Sequence, residues 1–153
     1  MERVGRIDEE ADRSDHRASP RSLRVATATF VVALLAHGVD HLRRGLDASP
    51  AAVQLAGNAQ LVLAGVTTVM VARRHRAAAL VATAVGFGSA IGFSLSHLLP
   101  EWGAFSDSFV EPAAGVNAYS WVTAVAEIAA GAALGVVGWR AMRAGSPHPA
   151  AVS

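Results

Sequence analysis

Four apolar runs, 23–42, 52–72, 77–99 and 118–139, occupy more than half of this 153-residue chain, and no soluble fold could bury them all. Each is close to the roughly 20 residues needed to cross a hydrocarbon core of about 30 Å. One or two such runs can serve as core helices of a soluble domain. Four, with almost no amphipathic segment to cover them, cannot. The expected fold is all-α: a polytopic membrane protein whose domain, 23–142, is an up-down-up-down bundle of four transmembrane helices. Composition agrees, with 52% hydrophobic and 16% charged residues, against about a quarter charged in an ordinary soluble domain.

The charges are segregated. Residues 1–22 are polar, mixed in sign and nearly free of large apolar side chains, which predicts a disordered tail. A second short tail is expected over 143–153. The stretch before the first run is too long for the charged start of a signal peptide, and LLAHG has no small-x-small cleavage pattern, so an uncleaved helix is expected. Arg17 and Arg21 precede the first run and Arg24 stands at its start, Arg73, Arg74 and Arg76 join the second to the third, and Arg140 and Arg143 follow the fourth. The opposite side has only Arg43 and Arg44. The positive-inside rule therefore predicts cytoplasmic N and C termini, with Trp102, Tyr119 and Trp121 at the outer interface. All basic residues are Arg, in an Ala-, Val- and Gly-rich background. That suggests a high-GC bacterial genome and a multi-pass protein of the bacterial cytoplasmic (inner) membrane.

Several functions are excluded. The chain has no cysteine, which removes disulfides, thiolate metal sites and thiol chemistry. With a net charge of +1 and no basic stripe, nucleic acid is not an expected partner. No phosphate-cradling loop, nucleophile elbow or dinucleotide fingerprint is present. The glycines of VGFGSAIG lie within an apolar run, where small residues let helix backbones approach. Gly88-x-x-x-Gly92 and Gly131-x-x-x-Gly135 are candidate packing faces, within the bundle or toward a homodimer or larger membrane complex.

Chemistry is expected where polar residues interrupt the apolar runs. HGVDHLRRG, 37–45, sets His37 and His41 four residues apart, on one helix face, with Asp40 between them. At 1.5 Å rise per residue, His37 lies ~8 Å, Asn58 ~9 Å and Glu127 ~13 Å from the same outer end of the bundle. Ser94 lies at a similar level, with His97 one turn above it. All four helices thus send a polar group to one half. A helical H-x-x-x-H pair can grip one ion, and His97 with Glu127 would complete a nitrogen-rich set suited to Zn, Cu or Fe. Haem b between His37 or His41 and His97 is a further reading of the same residues. Asp40, Asn58, Ser94 and Asp107 are expected to support the cluster, Asn58 by orienting Glu127. Glu127 is an acid deep in the span, which must face protein or water and find a partner.

The sequence therefore leads to an outward-facing His/carboxylate pocket that binds a transition metal or handles protons. As an enzyme, it would perform metal-assisted hydrolysis or redox chemistry. Two rivals are a small proton-coupled transporter subunit working through Glu127, and an accessory subunit of a membrane complex. The loop 100–117 is expected either to cap the surface or to close over the pocket.

Overall fold

The computed structural model describes residues 20–111 and 115–145. Four helices account for most of them: α1 (Pro20–Arg44), α2 (Ala51–Ala72), α3 (Ala78–His97) and α4 (Ala118–Gly145), with a short 3-10 turn at Leu46–Ala48. Each helix is long and apolar enough to cross a membrane. The tail expected over 1–22 lies outside the described residues as far as residue 19, and Pro20–Arg44 is already helix. Of the C-terminal tail, 146–153 likewise lies outside them.

Local chemistry explains the helix ends. Pro20 opens α1, where a missing N–H removes nothing. His41, Arg43 and Arg44 fill its last turn, where cations suit the helix dipole, and Gly45 leaves it at φ 96°. α2 ends in a paired turn: His75 N–H donates to Met70 O at 2.9 Å and Arg74 N–H to Val71 O at 3.2 Å. Arg74 sits there at φ 53°, a position that glycine usually takes. Asn117 caps α4, its Oδ1 accepting from the N–H of Tyr119 at 2.9 Å and of Ser120 at 3.3 Å.

α1 packs against α2 and α4, and α3 packs against the same two, so the helices form a ring in chain order. The connections 45–50 and 73–77 are too short for anything but antiparallel neighbours. The ends of α1 and α3 meet the starts of α2 and α4, as the His37–His97 and Asp40–Ser120 contacts require. This end, which also carries the loop 98–117, is called the loop end below.

The α3–α4 interface is the most extensive. A Cβ on Gly86 would collide with the backbone of Gly131 and Gly135, and one on Gly138 would meet Thr83. Close approach here replaces side-chain burial as the source of cohesion. Gly131 and Gly135 are thus used within the chain, against Gly86. Around Gly88 and Gly92, by contrast, a Cβ would meet nothing within 4 Å.

The apolar core, built on Phe30, Leu34, Val71, Ala82, Val85 and Leu134, fills the half of the bundle away from the loop end. Threonines and serines along the helices bond back to their own carbonyls, as Thr67 does to Leu63 O at 2.7 Å and Ser94 to Ala90 O at 2.8 Å. Outward, Val32, Leu55, Val62, Leu80 and Val122 are exposed. In water such a surface would aggregate, whereas a bilayer accepts it.

Gly86→Ala should lower thermal stability by about 1–3 kcal/mol through forced separation of α3 and α4. Gly88→Ala should leave it unchanged or raise it by up to about 1 kcal/mol, since only helix propensity changes. Circular-dichroism melts in detergent compare the two.

Candidate metal centre

α1 buries Phe30, Leu34, His37 and Asp40 as one continuous stripe. His37 therefore points into the bundle by the same rotation that buries Phe30. It is 2% exposed, and His97, the last residue of α3, is 1% exposed. His41 stands one turn beyond His37 and is half-buried. His37 Nε2 lies 3.2 Å from His97 Nε2 and 3.1 Å from His41 Nε2. A ligand nitrogen from each of the three falls within 4.8 Å of the other two.

The other ring nitrogens settle what these Nε2 atoms can be. His97 Nδ1 lies 2.8 Å from the carbonyl oxygen of Asp107, which can only accept, so Nδ1 carries the proton. His41 Nδ1 lies 3.0 Å from Ser49 Oγ, and Ser49 donates its own hydroxyl proton to Asp107 Oδ2 at 2.8 Å. His41 Nδ1 is then a donor too. Thr123 Oγ1 donates to Tyr119 O at 2.9 Å and faces His37 Nδ1 at a long 3.5 Å. His41 and His97 thus turn an Nε2 lone pair toward His37 Nε2, and with the His37 proton on Nδ1, facing Thr123, all three lone pairs would meet at one point. Lone pairs facing at 3.1–3.2 Å repel unless a cation lies among them. The spacing suits an ion: two nitrogens bound tetrahedrally at 2.0–2.1 Å stand about 3.3 Å apart.

Asp107 holds the surroundings together. Its carboxylate accepts from Arg44 Nη1 at 2.8 Å and Nη2 at 2.9 Å, both partners being nearly inaccessible. Its N–H donates to Ser96 O, and the next-but-one residue, Phe109, donates to His97 O. The segment 106–109 is thereby drawn inward as a roof, with the Phe109 ring 4.4 Å from that of His97. Phe93 packs on His37 and His97 from below. Burial pushes the Asp107 carboxyl up, but the hydrogen bonds from Arg44 and Ser49 and the Arg44 charge outweigh it and hold it below its usual range.

The remaining residues expected at the site are placed differently. Asp40 is fully buried but turns to α4, accepting from Arg43 Nη2 at 2.8 Å and Ser120 Oγ at 3.1 Å. It locks α1 to α4 and does not touch the imidazoles. Ser94 bonds to its own helix. Asn58 is exposed on α2 and makes no bond to Glu127. Glu127 is 0% exposed, one turn below Thr123, and neither carboxyl oxygen has a hydrogen-bond partner among the described residues. It is not one of the converging group, which among the described residues is His37, His41 and His97. The haem reading also meets an obstacle: three imidazoles in mutual contact leave no slot for a macrocycle between His37 and His97.

Sequence reasoning missed Ser49, Thr123 and the role of Arg44. One signal pointed to Arg44: it stands on the arginine-poor side, where a cation next to an apolar run needs a partner. No protein-family model matches the chain, and no curated protein or solved structure matches it at a significant level.

Because its folded value is depressed, Asp107 contributes stability that is complete above 3.8, its ordinary value, and is lost as pH falls through the lower folded one. Asp107→Asn should destabilise by about 3–5 kcal/mol at neutral pH, by leaving the buried Arg44 charge uncompensated. The gap to wild type should close below 3.8. Thermal melts of both proteins across that range check the sign.

Proposed function

We propose that this chain is a multi-pass protein of the bacterial inner membrane that holds one transition-metal ion through the Nε2 atoms of His37, His41 and His97. The observation that carries this reading is the convergence of three Nε2 atoms while the Nδ1 atoms of His41 and His97 each donate to an acceptor. A proton shared among three rings can serve only one N–H···N bond at a time. A divalent ion satisfies all three together. Three neutral imidazoles suit Zn²⁺, Cu²⁺ or Fe²⁺, and three protein ligands leave a further coordination position.

Bound there, the ion supplies Lewis-acid or redox chemistry. The chain's own part is orientation and exclusion. The Asp107 carbonyl fixes the His97 ring and Ser49 fixes that of His41, which raises ligand basicity. Phe93 and Phe109 limit water around both buried rings.

In this reading the Arg73–Arg76 turn and both termini are cytoplasmic and the His end faces outward. A second reading, proton coupling through Glu127, draws on its complete burial without a hydrogen-bond partner among the described residues.

Protein purified in mild detergent should carry about one metal ion per chain by elemental mass spectrometry, and the His37→Ala/His97→Ala double variant should carry none. Ser49→Ala should weaken affinity by about 10-fold to 100-fold while keeping all three ligands. Absence of metal from the wild type under metal-replete growth would sink this reading and favour the one built on Glu127.

The lack of native cysteine makes the orientation directly measurable. An impermeant maleimide should label Ala104→Cys in intact cells, and Arg74→Cys only after the membrane is opened. The reverse pattern would invert the protein.

A further inference from the structure

A cavity of about 700 Å³ lies between α1, α2 and α3, and His37, His41 and His97 form part of its wall. Its size is that of a site for a drug-sized molecule. Two features show how it is built. The first is glycine: Gly38, Gly57, Gly88 and Gly92 all line it, and a Cβ at any of them would meet nothing within 4 Å. The glycines of α3 that do bring helices together, such as Gly86, lie on its other face. Gly88 and Gly92 therefore hold space open on the cavity side, where any larger residue would project.

The second feature is the distribution of polar atoms. Most of the wall is apolar, from Leu34, Val53, Leu61 and Phe93. Against it stand three buried polar atoms without a hydrogen-bond partner among the described residues: Gln60 Nε2, Ser89 Oγ and Ser96 Oγ, all on lining residues. These atoms are closed off from the cavity space itself, and Ser89 packs toward Gly131 of α4, so they offer a guest no polar contact. The imidazole cluster is the strongest polar feature and sits at the loop end.

Access is the third consideration. Leu35, Val39, Leu61 and Leu95 line the cavity and are also 44–54% exposed. Exposed Gln54, Trp102 and Phe105 carry the lining on to the loop end, and the four aliphatic residues lie on helices apolar enough to span a bilayer, so the opening between the helices is lateral and apolar. A hydrophilic solute has no favourable way through it. A molecule dissolved in lipid does.

We infer that this cavity binds a lipid-soluble amphiphile, entering sideways between the helices with its hydrocarbon body along Gly57, Gly88 and Gly92 and a metal-ligating polar head at His37, His41 and His97. The head-group part rests on the metal reading above. The body part rests on the cavity alone.

The test uses a long-chain alkyl hydroxamic acid carrying a diazirine at the chain end, photolysed with the full-length protein in lipid nanodiscs and mapped by peptide mass spectrometry. Label should fall on the cavity-lining stretches of α1, α2 and α3. In Gly88→Leu/Gly92→Leu it should drop about tenfold or more, the equivalent of losing two buried methylenes. Metal content should stay at the wild-type value and the melting temperature should not fall, since a Cβ at either glycine meets nothing within 4 Å. His37→Ala/His97→Ala should weaken labelling, and a short-chain hydroxamate should compete poorly. Label spread evenly over all outward apolar faces, or unchanged in the glycine variant, would overturn the cavity assignment. So would cross-linking between two copies of the chain through α3, which would make the cavity a dimer seam. Loss of label in the glycine variant, with no metal in the wild type and no effect of the histidine variant, would keep the cavity and its apolar guest but overturn the metal-ligating head.

Discussion

A buried arginine in an apolar bundle must be met by a carboxylate, and in this chain a loop folded inward brings one to Arg44. Asp107 does so with both oxygens. Once it is there, its remaining groups are spent on the site: its carbonyl takes the His97 proton, its carboxylate takes the Ser49 hydroxyl and its N–H closes on Ser96. The same contact that satisfies a charge thus fixes the tautomers of two imidazoles. Without it, His41 and His97 would be free to turn either nitrogen inward, and convergence of three Nε2 atoms would be accidental.

The bundle divides its labour along its length. Away from the loop end, small residues let α3 and α4 touch backbone to backbone, and the apolar core needs no polar partners. At the loop end, polar groups replace that packing with directional bonds: Asp40 to Ser120 and Arg43, Arg44 to Asp107, and Tyr119 to Ala36 O. α2 is the outlier, with few buried residues and a looser hold on its neighbours. The cavity beside the imidazoles exists because α2 stands off while the other three helices close.

Much of the site was legible and part of it was misplaced, for one reason. Depth along a helix follows from counting residues, and in the structure His37 meets His97 at the loop end while Glu127 lies one turn below Thr123. Rotation about the helix axis does not follow from counting. Asp40 and His37 share a buried stripe but face different neighbours, α4 for one and α3 for the other. Asn58 and Ser94 were placed by depth alone, and the structure leaves the first exposed at the cavity wall, away from Glu127, and bonds the second to its own helix. The glycine patterns behaved likewise: Gly131 and Gly135 do pack, but against Gly86, two residues from the motif that the spacing singled out.

What the sequence determined by itself is what depends on composition and length: four helices able to span a membrane, their antiparallel order through short connections, the uneven spread of Arg, the absence of thiol chemistry, and two histidines forced onto one helix face. These follow from properties that each segment has alone. Only the tertiary structure decided which nitrogen of each imidazole points inward, which acid serves them, and that an irregular loop supplies it. Those depend on how helices rotate and how a long connection folds back, and both are set by the need to pair buried polar groups across elements far apart in the chain.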